Sequence, residues 1–322
     1  MTRLSVALCS YNGARFIHDQ LSSIARQSRL PDELVICDDC SSDDTIAIIE
    51  KFAVDAPFPV RSQVNPTNLG STKNFELAIS QCCGDFIALS DQDDIWHQDK
   101  LAHIERVLLD SPSVAAVFSD ASVVDEELKP LGYRLWDRYG FTAKRQQHLA
   151  AGHAFQVLLH KNAVTGATLA FRSWLKNWVI PIPSCWMHDA WIAVVAAAVS
   201  DLSIVEEPLI QYRQHAQNQI GGRKPPLPEF LQTVFRDNSA FYHDYVNQLK
   251  LLRERLAACK LKRLDDLLLL DSRILHFEAR GRMPTQRLRR LPLALRELWT
   301  LRYFRHSNGS ISLGKDLFLS RK

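Results

Sequence analysis

The chain has 322 residues, 46% hydrophobic and 23% charged, with a net charge of +3, which is the composition of an ordinary globular protein. That length allows one large α/β domain with an appendage, or two ordinary domains. It holds no apolar run near the roughly 20 residues of a membrane span, and the longest uncharged one, WIAVVAAAV at 191–199, is about half that.

The first half alternates strand and helix signals. LSVALCS (4–10) reads as a strand and ARFIHDQLSSIARQS (14–28) as a helix by apolar spacing. ELVICDD (33–39) is a second strand ended by a polar turn, and SDDTIAIIEKFA (42–53) a helix with Ser42, Asp43 and Asp44 as cap and first-turn acids. FPVRSQVN (58–65) is a weaker strand, GSTKNFELAISQC (70–82) a helix and DFIALS (85–90) a buried strand. A helix at about 98–110 and the strand VAAVFSD (114–120) come next. Further on, TGATLAFR (165–172) is strand-like, MHDAWIAVVAAAV (187–199) helical, and LSIVEEPLIQYRQH (202–215) a strand pair broken at Pro208. The Pro-rich GGRKPPLPE (221–229) marks a boundary, and most of the chain beyond it is helical by period.

Strands alternating with helices imply right-handed crossovers and a mostly parallel sheet with flanking helices, an α/β fold. Ligands then sit beyond the carboxyl ends of the strands. Ser10, Tyr11 and Asn12, then Asp38 and Asp39, then Asp91, Asp93 and Asp94 all come directly after strands, so they converge on one edge. In ALSDQDDIW (88–96) Asp91 and Asp93 form a D-x-D, the pattern by which carboxylates hold Mg²⁺ or Mn²⁺ while phosphate oxygens fill the remaining positions. An acidic turn is the plain alternative, and Asp94 suits a first-turn acid near a helix dipole. No GxxxxGK[ST] or GxGxxG is present, so neither a P-loop nor a Rossmann turn holds a phosphate here.

The seven cysteines include a CxxC, Cys37 and Cys40, but an odd count argues against a disulfide framework, and no second pair completes a zinc site. MTRLSVALCSYNG lacks the apolar segment and cleavage site of a signal peptide, which points to a cytoplasmic protein. Charge is uneven: residues 281–322 hold ten Lys or Arg against Glu297 and Asp316, a net +8, leaving about −5 elsewhere. A basic end interleaved with Leu, Trp, Tyr and Phe suits the anionic inner face of the cytoplasmic membrane better than nucleic acid.

The run VALCSYNGARFIHDQLSSIARQS…DELVICDDCSSDDT…NLGSTKNFELAISQCCGDFIALSDQDDIWHQDKL resembles the donor-binding half of a family 2 glycosyltransferase with the GT-A fold. TGATLAFR, MHDAW and EEPLIQYRQHAQNQIGG resemble its rhamnosyltransferase-like branch, and together the motifs cover about residues 3–221. The resemblance implies a GT-A domain over 1–222, with donor binding at about 1–120 and acceptor and catalytic parts at about 121–222, and a helical, basic extension over 223–322. It implies Cys9 and Tyr11 at the nucleotide base, Asp39 accepting from a pyrimidine N–H, and Lys73 and Asn74 near base and ribose. Asp91 would contact the ribose or support the metal, Asp93 would ligate it and His215 would complete its shell. Packing of Tyr11 and capping by Asp39 are the plain alternatives.

Asp189 in MHDAW matches the general base, against the alternative of a helix-start acid; many relatives carry Glu-Asp where this chain has His188-Asp189. Arg213 is placed to pair with diphosphate, bidentate and always charged. QYRQH departs from the Q-x-x-R-W of processive synthases, which favours a single sugar addition. The expected reaction is inverting, metal-dependent transfer from a nucleotide-diphospho-sugar, dTDP-rhamnose by the resemblance to that branch, to a glycan or lipid-linked glycan of a surface-polysaccharide precursor such as lipopolysaccharide or O-antigen. A nucleotidyltransferase would show a Gly-rich loop with Arg and Lys, which CSYNGARF does not match; a non-catalytic nucleotide-sugar-binding protein would not need Asp189.

Overall fold

The computed structural model describes residues 2–215 and 239–319, so the Pro-rich boundary at 221–229 lies outside the described residues. The chain divides into two compact units, Met1–Gly222 and Arg223–Lys322.

In the first unit β1 (Leu4–Ser10), α1 (Ile17–Ala25), β2 (Glu33–Asp38), α2 (Thr45–Asp55), β3 (Val60–Val64), α3 (Ser71–Gln81) and β4 (Phe86–Ser90) succeed one another. The strands pair in parallel in the order β3–β2–β1–β4. β1, β2 and β4 are buried at every position, which is why their sequences are continuous apolar runs rather than alternating ones. β3 is the edge, with exposed Arg61 and Gln63, which explains its weak strand signal. α2 begins at Thr45, and Asp43 acts from outside the helix: its carboxylate accepts from the Thr45 backbone N–H at 3.1 Å and from the Thr45 hydroxyl.

Beyond β4 the sheet is mixed. β5 (Ile95–Trp96), α4 (Lys100–Asp110), β6 (Val114–Val124), β7 (Pro130–Arg134), β8 (Leu169–Arg172) and β9 (Asp201–Arg213) complete it. β8 runs antiparallel between β4 and β6, and β9 lies parallel to β6 with β5 antiparallel on its far side. The expected parallel order therefore describes the β3–β4 half. The expected break at Pro208 is instead one continuous strand: the register passes from Ser119↔Val205 to Asp120↔Pro208, and exposed Glu206 and Glu207 form a bulge. A bulge is where a strand tolerates a residue without an N–H. The helix His188–Val199 is buried almost all round, with the Trp191 indole donating to the Val179 carbonyl at 2.8 Å.

The second unit holds helices Ser239–Ala257, Asp265–Gly281, Leu291–Trp299, Arg302–His306 and Ser310–Phe318. Leu249, Leu252, Leu256 and Leu270 are buried between its first two helices, and a further small cluster of Met283, Ala294 and Tyr303 is tied by buried polar groups. Arg280 pairs with Asp316 at 2.7 Å, the Tyr303 hydroxyl donates to the same carboxylate at 2.9 Å, and His276 meets Glu297 at 2.7 Å. Satisfied networks of this kind specify one packing for a small core. No helix among the described residues is long and apolar enough to cross a membrane.

Candidate active site

The carboxyl ends of β1, β2 and β4 open on a cavity of about 510 Å³, lined by Cys9, Tyr11, Asp39, Asn74, Asp91, Asp93, Asp189 and His215 among others. Lys73 and Arg213, the remaining residues expected there, do not line it. The Lys73 ammonium donates to the Ile182 carbonyl at 2.7 Å and pairs with Glu76 at 2.8 Å.

The loops after β1 and β2 are braced by their own polar side chains. Gln92 spans the Tyr11 backbone, accepting from its N–H at 2.8 Å and donating to its carbonyl at 3.0 Å. Residue 13 must be glycine for this, since a Cβ there would meet Gln92 Oε1 at 2.1 Å. Asn12, at φ 47°, donates its N–H to Ser41 Oγ and accepts from the Ser42 N–H, each at 2.8 Å. Asp39 accepts from the N–H groups of Leu69 (2.7 Å) and Gly70 (2.9 Å) and from the Asn65 amide (3.0 Å), so its carboxylate staples the loop that starts α3. Asn74 is equally engaged, donating to the Cys37 carbonyl at 2.8 Å and accepting from Asn65 at 2.9 Å.

The acidic turn after β4 is built from behind by Arg213. Its guanidinium donates to the carbonyls of Asp93 (2.8 Å) and Glu126 (2.6 Å), pairs with Asp19 at 3.1 Å and lies 4.6 Å from the Phe16 ring centre. Expected as a diphosphate ligand, Arg213 is thus a brace for the turn that carries Asp93. Asp94 is no first-turn acid, because α4 starts only at Lys100. It is fully buried, with Oδ1 accepting from the Arg213 N–H at 3.0 Å and Oδ2 lacking a hydrogen-bond partner. Asp93 faces the cavity, where its Oδ2 lies 2.7 Å from Nε2 of His215.

Burial and the neighbouring carboxylates raise Asp91 and Asp94. The Asp91 carboxyl is pushed up to about 7, first by burial and then by Asp93 and Asp189, with Lys100 opposing. Asp94 is driven well above the carboxylate range, by burial and then by Asp93 and Asp91. The side chain that answers this charge, Lys100, was not legible in the sequence, where a lysine opening a helix reads as solvated. It is fully buried, donates to the Ala167 carbonyl at 2.6 Å and sits 3.5 Å from the Trp96 ring centre. Burial lowers its pKa strongly, and Asp94 and then Asp91 pull it back up. Lys100→Met keeps the stem against Trp96 but leaves a buried carbonyl and two buried carboxyls without their cation. The expected loss is about 1–3 kcal/mol, the cost of leaving the buried Ala167 carbonyl without its donor, or roughly 2–12 °C in melting temperature for a unit of this size. In Lys100→Met/Asp94→Asn part of that loss returns if charge is the cause, which a double-mutant cycle reads directly.

Asp189 opens the helix His188–Val199 and lines the same cavity. Its Oδ2 accepts from the Gly166 N–H at 3.0 Å and its Oδ1 from the Ala190 N–H at 2.6 Å. Burial pushes its carboxyl up to about 6, and those backbone N–H groups oppose the shift. His188, also lining the cavity, stacks on Phe75 at 3.9 Å with neither ring nitrogen hydrogen-bonded. Burial pushes it down to about 3, so it is neutral at any working pH. Gly166 is what admits it, since a Cβ there would meet His188 Nε2 at 2.6 Å. Tyr139, Thr165 and Tyr212 also line the cavity and carried no motif that would have singled them out.

The residues at the acidic turn fit a divalent cation. Asp93 and His215 bring an oxygen and a nitrogen donor to one spot, and Asp91 lines the same cavity beside them. Among the described residues no group of three or more His, Cys, Asp or Glu closes a complete cage.

A model of the family described as Glycosyl transferase family 2 matches residues 5–165. Over 227 residues the chain is 28% identical to "dTDP-rhamnosyl transferase RfbG" of Shigella flexneri, covering 66% of this chain and 73% of that one. It is 27% identical to an uncharacterised Mycobacterium tuberculosis protein over 66% of this chain, and spans only 59% of that relative. Among solved structures, Staphylococcus aureus TarS 1-349 in complex with UDP-GlcNAc superposes with a TM-score of 0.62 at 17% identity, covering 98% of this chain and 90% of that one. A mannosyltransferase of Pyrobaculum calidifontis in complex with GDP-Man and Mn²⁺ gives 0.52 at 16% identity, covering 94% and 75%. At such identities the likeness shows the fold, that of the GT-A glycosyltransferases.

Proposed function

The chain belongs to glycosyl transferase family 2 and is a glycosyltransferase, and on that premise we propose that it transfers a sugar, with inversion, from a nucleotide-diphosphate donor to a hydroxyl of a surface-polysaccharide precursor. The observation that carries the reading is the shared cavity: Asp91, Asp93, His215 and Asp189 all line it, at the carboxyl edge of β1, β2 and β4. Rhamnose from dTDP-rhamnose is the donor suggested by the named function of the Shigella flexneri relative, and the acceptor in this proposal is a lipopolysaccharide or O-antigen precursor. In this reading the GT-A domain proper spans 1–222 and the helical extension 223–322, an assignment supported by the division into two compact units.

Cys9 and half-exposed Tyr11 form the wall for the base. Asp39 has one donor on Oδ2, so that oxygen retains a lone pair for a pyrimidine N–H. Asp93 and His215, with Asp91 beside them, would hold Mg²⁺ or Mn²⁺, as the presence of Mn²⁺ in the Pyrobaculum complex suggests for this fold. When bound, that ion supplies Lewis-acid stabilisation of the departing diphosphate. Asp189, with both oxygens fixed by backbone N–H groups, removes the acceptor proton as the hydroxyl attacks. Its raised pKa of about 6 makes it a stronger base than an exposed aspartate while leaving it ionised at pH 7.

A thermal-shift screen of nucleotide sugars, with and without Mn²⁺, tests the reading. A donor at 100 times its Kd raises stability by about 2.7 kcal/mol, and the shift is expected only when donor and metal are both present. Equal stabilisation with chelator would remove the metal from the proposal. A nucleoside triphosphate outperforming every nucleotide sugar would favour the nucleotidyltransferase alternative.

A further inference from the structure

The segment Arg287–Trp299 buries Arg290, Ala294 and Glu297 in the helical unit. Its opposite side is apolar: Leu288 is 82% exposed, Leu291 43%, Leu295 60% and Trp299 90%. Their spacing of three, four and four residues sets them in one stripe along the segment. Leu301 and Phe304, just beyond, are more than half exposed as well. Scattered exposed leucines need no explanation, but a continuous stripe ending in a bare tryptophan marks an interaction surface.

The exposed charge described within residues 281–319 has one sign, and of its arginines Arg282 pairs with Glu278 of the preceding helix at 3.7 Å. Arg282, Arg287, Arg289, Arg296 and Arg305 are exposed. The only two acids between residues 281 and 322, Glu297 and Asp316, are buried and paired, with His276 and Arg302 in one case and Arg280 in the other. No exposed acid between 281 and 322 answers those arginines. A second copy docking through this stripe would set arginine against arginine. A nucleic acid would answer the arginines but gives leucine nothing to enter. An anionic bilayer answers both, because leucine and tryptophan seat at the headgroup–acyl boundary while arginines stay among the headgroups.

We propose that the stripe Leu288–Leu291–Leu295–Trp299, with its arginine rim, is a docking surface for an anionic membrane. It stands apart from the catalytic reading, since none of these residues lines the cavity. The full chain is mixed with phosphatidylcholine vesicles with and without phosphatidylglycerol and floated on a gradient. Wild type is expected to float only with phosphatidylglycerol, less as salt is added, with a blue shift of tryptophan emission. Arg287→Glu/Arg289→Glu/Arg296→Glu is expected to lower the partition coefficient by at least about 100-fold, at about fivefold per neutralised arginine. Leu295→Ser/Trp299→Ser is expected to lose the blue shift and to retain only weak, salt-sensitive adsorption. All substituted positions are exposed, so an unchanged melting temperature checks the fold of each variant. No flotation of wild type, or flotation untouched by both variants, overturns the proposal. So does an oligomer, seen by light scattering, that the serine variant dissociates, because the stripe would then be a protein interface.

Discussion

Asp189→Asn is expected to cut turnover by at least ~10²-fold, the lower end for losing a general base, while donor affinity and its metal dependence stay near wild type. The substitution preserves size but not acceptor capacity. Asp189 uses one oxygen for the Gly166 N–H and the other for the Ala190 N–H, and an amide meets only one of them with oxygen. About 1–3 kcal/mol of stability is at risk from the unmatched donor. Loss of a buried charge works the other way. Asp189 binds its proton more tightly folded than unfolded, so ionising it costs stability as pH climbs from about 4 through about 6. The melting temperature therefore moves by a few degrees at most near neutral pH, too little to explain a hundredfold loss of rate. The pH profile separates chemistry from structure. Wild-type kcat/KM should fall about tenfold per unit below pH 6 as the free enzyme's carboxyl protonates, and the residual rate of the Asn variant should lack that limb. A variant that turns over at near wild-type rate with the acid limb intact would falsify the assignment.

The same physics decides which features were legible in the sequence. β1, β2 and β4 were readable because a strand covered on both faces must be apolar throughout, and the polar residues ending each strand mark the ligand edge. Contacts far apart in the chain were not readable. His215 meets Asp93 across 122 positions and Arg213 reaches Asp93's carbonyl across 120, distances over which no local pattern carries information. Arg213 looked like a phosphate ligand because a sequence shows that a guanidinium is present but not which carbonyls have claimed it. Lys100 was invisible for the converse reason: its burial depends on Trp96 and Ala167 arriving from other elements. Pro208 read as a break because the bulge that absorbs it exists only against the register of β6.

Asp93→Ala is expected to abolish the metal dependence of donor binding while the fold survives. The reason lies in how the turn is held. Arg213 grips the carbonyl of Asp93, not its carboxylate, and the Arg213 N–H and the orphaned Oδ2 both concern Asp94. Truncation at Cβ therefore leaves the turn standing. It also removes a negative charge beside Asp91 and Asp94, both of which Asp93 drives upward, so the protein without donor should melt no lower than wild type. Donor affinity in Mn²⁺ should fall to the value wild type shows in chelator, because the remaining donors no longer hold the ion against water. His215 decides between a ligand and a mere partner of Asp93. If its imidazole only accepts or donates at the 2.7 Å contact, His215→Ala keeps the Mn²⁺-dependent shift and loses little affinity. If both side chains hold the ion, His215→Ala shifts the metal titration to higher concentration, and the double variant behaves as Asp93→Ala alone. An Asp93→Ala protein whose donor-induced stabilisation still doubles or more on adding Mn²⁺ would place the cation elsewhere in the cavity, with Asp91 as the next carboxylate to test.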